Sequence, residues 1–142
     1  MLAVNPENRA GEGDPLDRAR RAAARAFVPY SRFRVGAVLE DERGRRYDGC
    51  NLECASLGLS VCAERVALGI ARTDGARRFR RLWIYTPTRI PTAPCGACRE
   101  LLARYAPGID IHLLSDRGRS KKLRLERLLP RASRVRTGRM VR

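Results

Sequence analysis

Apolar positions in residues 14–29 recur at helical spacing. Leu16, Ala19, Ala23 and Ala26 with Phe27 form one stripe, Asp14 stands where a cap belongs, and Pro15 suits the first helical position. The run predicts a helix ended by Pro29, packed on a sheet, with Arg18, Arg20, Arg21 and Arg25 as its solvated side. The period then changes to two. Phe33, Val35, Ala37 and Leu39 alternate with Arg34, Gly36 and Val38, Asp41-Glu42-Arg43-Gly44 reads as a hairpin turn, and residues 45–50 read as the return strand. Ser60 is a good cap for a second helix that carries Val61, Val66, Ala67, Ile70 and Ala71 inward until Asp74-Gly75 stops it. Residues 82–86 form an apolar, β-rich central strand, and the three prolines of residues 87–94 make the next segment a stiff loop. Cys95 and Cys98 open a third helix that runs through Leu101, Leu102 and Tyr105 to Pro107. Residues 109–114 are strand-like, and after a turn at residues 115–118 the leucines 123, 125, 128 and 129 suggest a short strand passing into a helix before Pro130. This alternation of periods predicts an α/β fold, a three-layer α/β/α domain with a mixed sheet of about five strands.

Composition narrows the picture. A chain of 142 residues holds one core, read as a polar leader over residues 1–13, a domain over 14–130, and a tail over 131–142 carrying five arginines. No apolar run reaches the roughly 18 residues of a membrane span, and Met1-Leu2-Ala3-Val4 lacks the apolar stretch of a signal peptide, so a cytoplasmic protein without membrane partners is expected. The net charge is +15, and of 30 basic residues all but Lys121 and Lys122 are arginine. Such a surface attracts polyanions, which keeps a nucleic-acid-binding or editing zinc protein as an alternative. The charges, however, are spread from Arg9 to Arg142 without the interleaved aromatics that stack unpaired bases.

Two cysteine stretches carry the candidate chemistry: Ser60-Val61-Cys62-Ala63-Glu64-Arg65 and Pro94-Cys95-Gly96-Ala97-Cys98-Arg99. A lone C-x-x-C could equally be a redox pair or half of a structural zinc ribbon. A C-x-E that precedes P-C-x-x-C by one helix and one strand is narrower, and it matches the zinc deaminase signature with Cys62 where other branches use histidine. On that reading Cys62, Cys95 and Cys98 are ligands of a tetrahedral zinc with one position left for water, and Glu64, kept off the metal, carries protons. Residues two apart on a regular helix point about 200° from each other, so Cys62 and Glu64 can share a pocket only at a helix mouth. Arg65 is placed to hydrogen-bond a ligand sulfur. The sole histidine, His112, lies in the apolar run 109–114 and reads as satisfying a core or sheet-edge hydrogen bond. Five cysteines, three of them needed as thiolates, favour a reducing compartment over a disulfide framework.

Further matches accompany the zinc motif: Pro29-Tyr30-Ser31-x-Phe33-x-Val35-Gly36-Ala37, then Gly49-Cys50-Asn51-x-Glu53. In this order and spacing the chain resembles the short, homotetrameric cytidine deaminases of nucleoside salvage, from about Asp14 to Pro130. The resemblance implies zinc-dependent hydrolytic deamination of cytidine or deoxycytidine to uridine or deoxyuridine plus ammonia, with one Zn2+ per subunit and a small-molecule nucleoside as substrate. It also implies a homotetramer with composite active sites. Phe33, Asn51 and Glu53 would line the sugar site, while backbone groups at Ala63 and around Pro94 would hold the base edge and the leaving amine. Taken without the resemblance, Asn51 and Glu53 read as ordinary polar turn residues. Three positions depart from the family pattern. Cys54 replaces a second asparagine, Leu57 an aromatic residue, and Ser133 stands at the spacing of a phenylalanine that stacks on a neighbouring subunit's substrate. These departures leave open a deaminase of another small cytosine-type nucleoside, as in the blasticidin deaminases, although Phe33, Asn51 and Glu53 speak against it.

Overall fold

The computed structural model describes residues 13–129; most of the expected leader, Pro130, and the tail with Ser133 lie outside the described residues. Helix α1 spans Pro15–Ala24, with Asp14 in extended backbone before it and its carbonyl accepting from the Arg18 N–H at 3.0 Å. It ends short of Pro29. Arg25 and Ala26 close onto the carbonyls of Ala22 and Ala23, and Phe27, expected on the buried stripe, is 61% exposed and bridges to Leu52 instead. Arg18 also departs from its expected solvated place: it is buried, with its guanidinium 2.8 Å from Asp48 and donating to the Arg46 carbonyl. Pairing makes that burial tolerable for a charge.

Five strands follow: β1 (Gly36–Asp41), β2 (Arg46–Cys50), β3 (Phe79–Thr86), β4 (Asp110–Ser115) and β5 (Ser120–Arg124). They form one mixed sheet in the order β2-β1-β3-β4-β5. β1 is antiparallel to both β2 and β3, β3 is parallel to β4, and β5 is antiparallel to β4. Consequently β2, β3 and β4 run the same way. Gly36 at the start of β1 lies opposite Cys50 and Tyr85, so the carboxyl ends of β2 and β3 and the entry to β1 share one end of the sheet.

Helices α2 (Ala63–Thr73) and α3 (Gly96–Tyr105) cover one face, α1 the other. The larger core unites Ala37, Leu39, Tyr47, Ala67, Leu68, Leu82, Ile84, Leu102 and Ile111, and the smaller one joins Ala19 and Ala23 to Val38, Trp83 and Tyr85. β1 is buried along its whole length because it lies between the two helical layers. Two glycines allow the layers to close. A Cβ on Gly36 would stand 1.9 Å from the Ala19 carbonyl oxygen of α1, and one on Gly49 2.3 Å from the Ala63 carbonyl oxygen of α2.

Several boundaries differ from the sequence pattern. The strand expected from Phe33 begins at Gly36, because the Asn51 side chain takes the Val35 N–H and the Phe33 carbonyl, both at 2.8 Å, in place of ladder bonds. Ser60 does not cap α2. It closes a 3₁₀ turn over Leu57–Leu59, and its hydroxyl accepts from the Cys54 N–H at 3.0 Å. With α2 starting at Ala63, the inward positions are Ala63, Glu64, Ala67, Leu68 and Ala71, and Ile70 is turned out. The helix expected after β5 is a single 3₁₀ turn, Leu125–Arg127. His112 stacks on Trp83 at 5.4 Å between ring centroids, and its buried Nε2 has no hydrogen-bond partner among the described residues. Among those residues no helix is long and apolar enough to cross a membrane.

Candidate active site

Two loops leave the sheet at its shared end, residues 51–62 after β2 and 87–95 after β3. The first is held tightly. Leu52 and Val61 exchange backbone hydrogen bonds at 2.9 and 2.8 Å, and Phe27 adds itself beside Leu52. Cys62 therefore emerges at a fixed place, as the residue capping α2, with φ −72° and ψ 153°. Its extended backbone removes the angular conflict: Cys62 lies just outside the helix, and Glu64 just inside it. Cys95 caps α3 in the same way, with φ −66° and ψ 167°, and Cys98 follows in the first turn. Arg99 ties this mouth down, donating to the Pro94 carbonyl at 2.7 Å and to the Leu128 carbonyl at 3.2 Å.

The three sulfurs of Cys62, Cys95 and Cys98 lie within 4.8 Å of one another, with Cys62 and Cys95 at 3.6 Å. Zinc–sulfur bonds of about 2.3 Å in a tetrahedron set sulfurs about 3.8 Å apart, so the spacing fits zinc. Among the described residues no fourth histidine, cysteine or carboxylate joins the cluster. Cys50 and Cys54 are free thiols outside it. One member of the triad is tuned for thiolate: Cys62 is lowered to about 5, by a hydrogen bond from Cys98 first, against burial, with Cys95 and Arg65 adding. Cys98, as donor to Cys62 and buried, is pushed above the ordinary thiol range. Two helix N-termini aimed at one point favour negative charge there.

Glu64 is 5% exposed. Burial, reinforced by the neighbouring Cys62, pushes its carboxyl up to about 7. A group poised there can take up and release a proton near neutrality. Arg65 directs one guanidinium nitrogen at the Ser60 carbonyl, 2.7 Å away, and at the Cys62 sulfur, 3.9 Å away. Ala63 is fully buried at the start of α2.

The other candidate residues gather at the same sheet end. Phe33 is 38% exposed, and Asn51 holds it by the carbonyl. Glu53 accepts from the backbone N–H groups of Tyr30 and Ser31 at 3.0 and 3.1 Å and from the Ser31 hydroxyl. That hydroxyl chiefly holds the Glu53 carboxyl below its usual range. Asn51 and Glu53 thus both hold the backbone of residues 30–35 in place. Sequence reasoning passed over Ser31 and Gly49; the only signal for either was its place inside a quoted motif.

An α/β/α fold with three thiol donors and a buried carboxyl at one sheet end defines the class of zinc-centred hydrolytic deaminases. The profile of the cytidine and deoxycytidylate deaminase zinc-binding region matches residues 14–109, and the chain belongs to that family. It is 39% identical over 115 residues to a cytidine deaminase of Sporosarcina psychrophila, covering 80% of this chain and 85% of that one. The crystal structure of cytidine deaminase from Burkholderia pseudomallei superposes with a TM-score of 0.81 at 37% identity, covering 84% of this chain and 96% of that one. A blasticidin-S deaminase of Bacillus cereus is more distant, 29% identical over 111 residues, 70% of this chain and 76% of that one.

Proposed function

We propose that the protein hydrolyses cytidine and deoxycytidine to uridine or deoxyuridine and ammonia, within a catalytic domain over residues 14–130. The observation that carries this reading is the meeting of three sulfurs and a buried carboxyl at the mouths of α2 and α3. Cys62, Cys95 and Cys98 hold one zinc. A zinc held there would act as a Lewis acid and lower the pKa of a bound water. Glu64 takes the proton of the attacking water, gives it to N3 of the base, and moves a second proton to the exocyclic amine. Water adds at C4, the C4–N bond breaks, and ammonia departs, so one water is consumed for each ammonia released. Ala63 and Pro94 hold the base edge and the leaving amine through their backbone. Phe33, Asn51 and Glu53 receive the sugar.

Nucleoside salvage in the cytoplasm as a homotetramer completes the proposal. Leu57, Leu59 and Ile90 support assembly: all three are more than two-thirds exposed, on the two loops that build the site. Side chains of this kind are candidates for burial between subunits where they adjoin in one patch. The test is an absorbance assay with cytidine, deoxycytidine, blasticidin S and a single-stranded oligonucleotide side by side. Turnover of the first two is expected, and Glu64→Gln should retain zinc and fold while losing about 10²- to 10⁴-fold in turnover. Activity on blasticidin S or the oligonucleotide alone would replace the substrate assignment. Normal turnover by Glu64→Gln would remove its proton-carrying role.

A further inference from the structure

Ser31 is an exposed residue that the reaction scheme does not use. Its single hydroxyl nevertheless makes two bonds at once, donating to Glu53 Oε1 and accepting from the Phe33 N–H at 3.0 Å. A serine hydroxyl has one proton and two lone pairs, so both bonds are compatible. Glu53 Oε2 meanwhile accepts the N–H groups of Tyr30 and Ser31 itself. Between Ser31 and Phe33 the backbone turns through Arg32 at φ 56°, a conformation uncommon outside glycine and asparagine. The turn brings the Phe33 N–H back onto the serine oxygen.

We infer that Ser31 is a positioning residue for the sugar side of the site, its hydroxyl fixing the Glu53 carboxylate and the Phe33 backbone in one relation. The inference rests on the proposed assignment of Glu53 and Phe33 as sugar contacts. Chemically, the clamp keeps the Glu53 carboxylate, a pure acceptor, turned one way. Three donors of the protein fill part of its capacity, and a further acceptor site remains for a ligand hydroxyl. Removing Ser31 frees Glu53 to rotate into water, and a ligand must then pay for ordering it again.

The zinc-loaded protein is assayed with cytidine, and uridine binding is measured by calorimetry as a non-reacting probe. Ser31→Ala is expected to raise KM for cytidine and Kd for uridine about tenfold, the loss of one hydrogen bond to a charged group, with kcat changed less than about twofold. Ser31→Thr, which keeps the hydroxyl, should restore both. In a Glu53→Ala background, Ser31→Ala should lose most of its effect, because the carboxylate it positions is gone and only the bond from the Phe33 N–H is left to break. Zinc content and melting temperature establish that each variant is loaded and folded. The inference is overturned if Ser31→Ala leaves KM and Kd within about twofold, if kcat falls instead, or if its full effect persists without Glu53. Should Glu53→Ala itself leave KM and Kd unchanged, the sugar-contact assignment fails first and takes the positioning role with it. A normal Glu53→Ala effect with a silent Ser31→Ala sinks only the latter.

Discussion

Arg65 lies one residue after Glu64 and three after Cys62, which puts it against the outer side of the thiol cluster. Burial works against its charge, yet the thiols around it hold the guanidinium firmly protonated, with Cys62 first among them. Its Nε is buried without a partner among the described residues, so the anchoring runs through the nitrogen that faces the Ser60 carbonyl and the Cys62 sulfur. Partners of metal-ligating groups typically contribute about 10- to 100-fold in metal affinity or activity. Arg65→Ala is expected to fold normally and to lose zinc faster to a competing chelator, by a factor in that range. Metal analysis after timed dialysis, together with turnover, reads it, and full retention with full turnover would leave Arg65 as one more surface-facing arginine.

At the level of elements, Gly49 decides where α2 can sit. The helix passes so close to β2 that an added methyl would meet the Ala63 carbonyl oxygen at 2.3 Å and the Ala67 backbone nitrogen at 2.6 Å. Backbone cannot rotate away as a side chain can, so Gly49→Ala must lift the start of the helix. Overpacking of this kind costs about 1–3 kcal/mol. The same shift displaces Cys62 and Glu64, which lie at that helix start. Gly49→Ala should therefore lower both the melting temperature and zinc retention, whereas Gly69→Ala, inside the same helix with open space around its Cβ position, should leave zinc retention unchanged and raise the melting temperature slightly. Calorimetry and metal content compare the two.

Element types were legible in the sequence, because helical and strand periods are local properties. Both C-x-E and P-C-x-x-C were legible too, since a helix start brings such neighbours together without help from the rest of the chain. Boundaries were less so. Ser60 looks like a cap by chemistry, but Leu52 pairs with Val61 and carries the chain extended past it, so the helix begins three residues later. Phe33 looks like strand, yet a side-chain amide across the gap takes its carbonyl. Arg18 looks solvated until Asp48, thirty residues away, arrives beside it. For Phe33 and Arg18 a contact from a distant segment overrides a local preference, and no short window along the chain contains both partners; for Ser60 a pairing nine residues apart does the same.

For the whole molecule, the metal and the fold are linked. The three sulfurs come from the ends of two helices that follow different strands, so an ion binding them favours the folded chain over the unfolded one. At free zinc one hundred times its dissociation constant, that linkage amounts to about 2.7 kcal/mol. Stripping the metal is expected to lower the melting temperature by about 5–10 °C for a domain of this size. Readdition should restore it. Scanning calorimetry with and without zinc makes the measurement, and an unchanged transition would mean that the folded chain binds the ion no better than the unfolded one.

Parallel β2 and β3 have a further consequence, for the order of events at the ribosome. Cys62 emerges 33 positions before Cys95, and the two meet only when β3 has zipped against β1. At about 5–20 residues per second, the early thiol waits seconds for its companions. Over that interval the nascent chain offers only one of the three cluster sulfurs, so capture of the metal follows the pairing of β3 with β1 and cannot guide it.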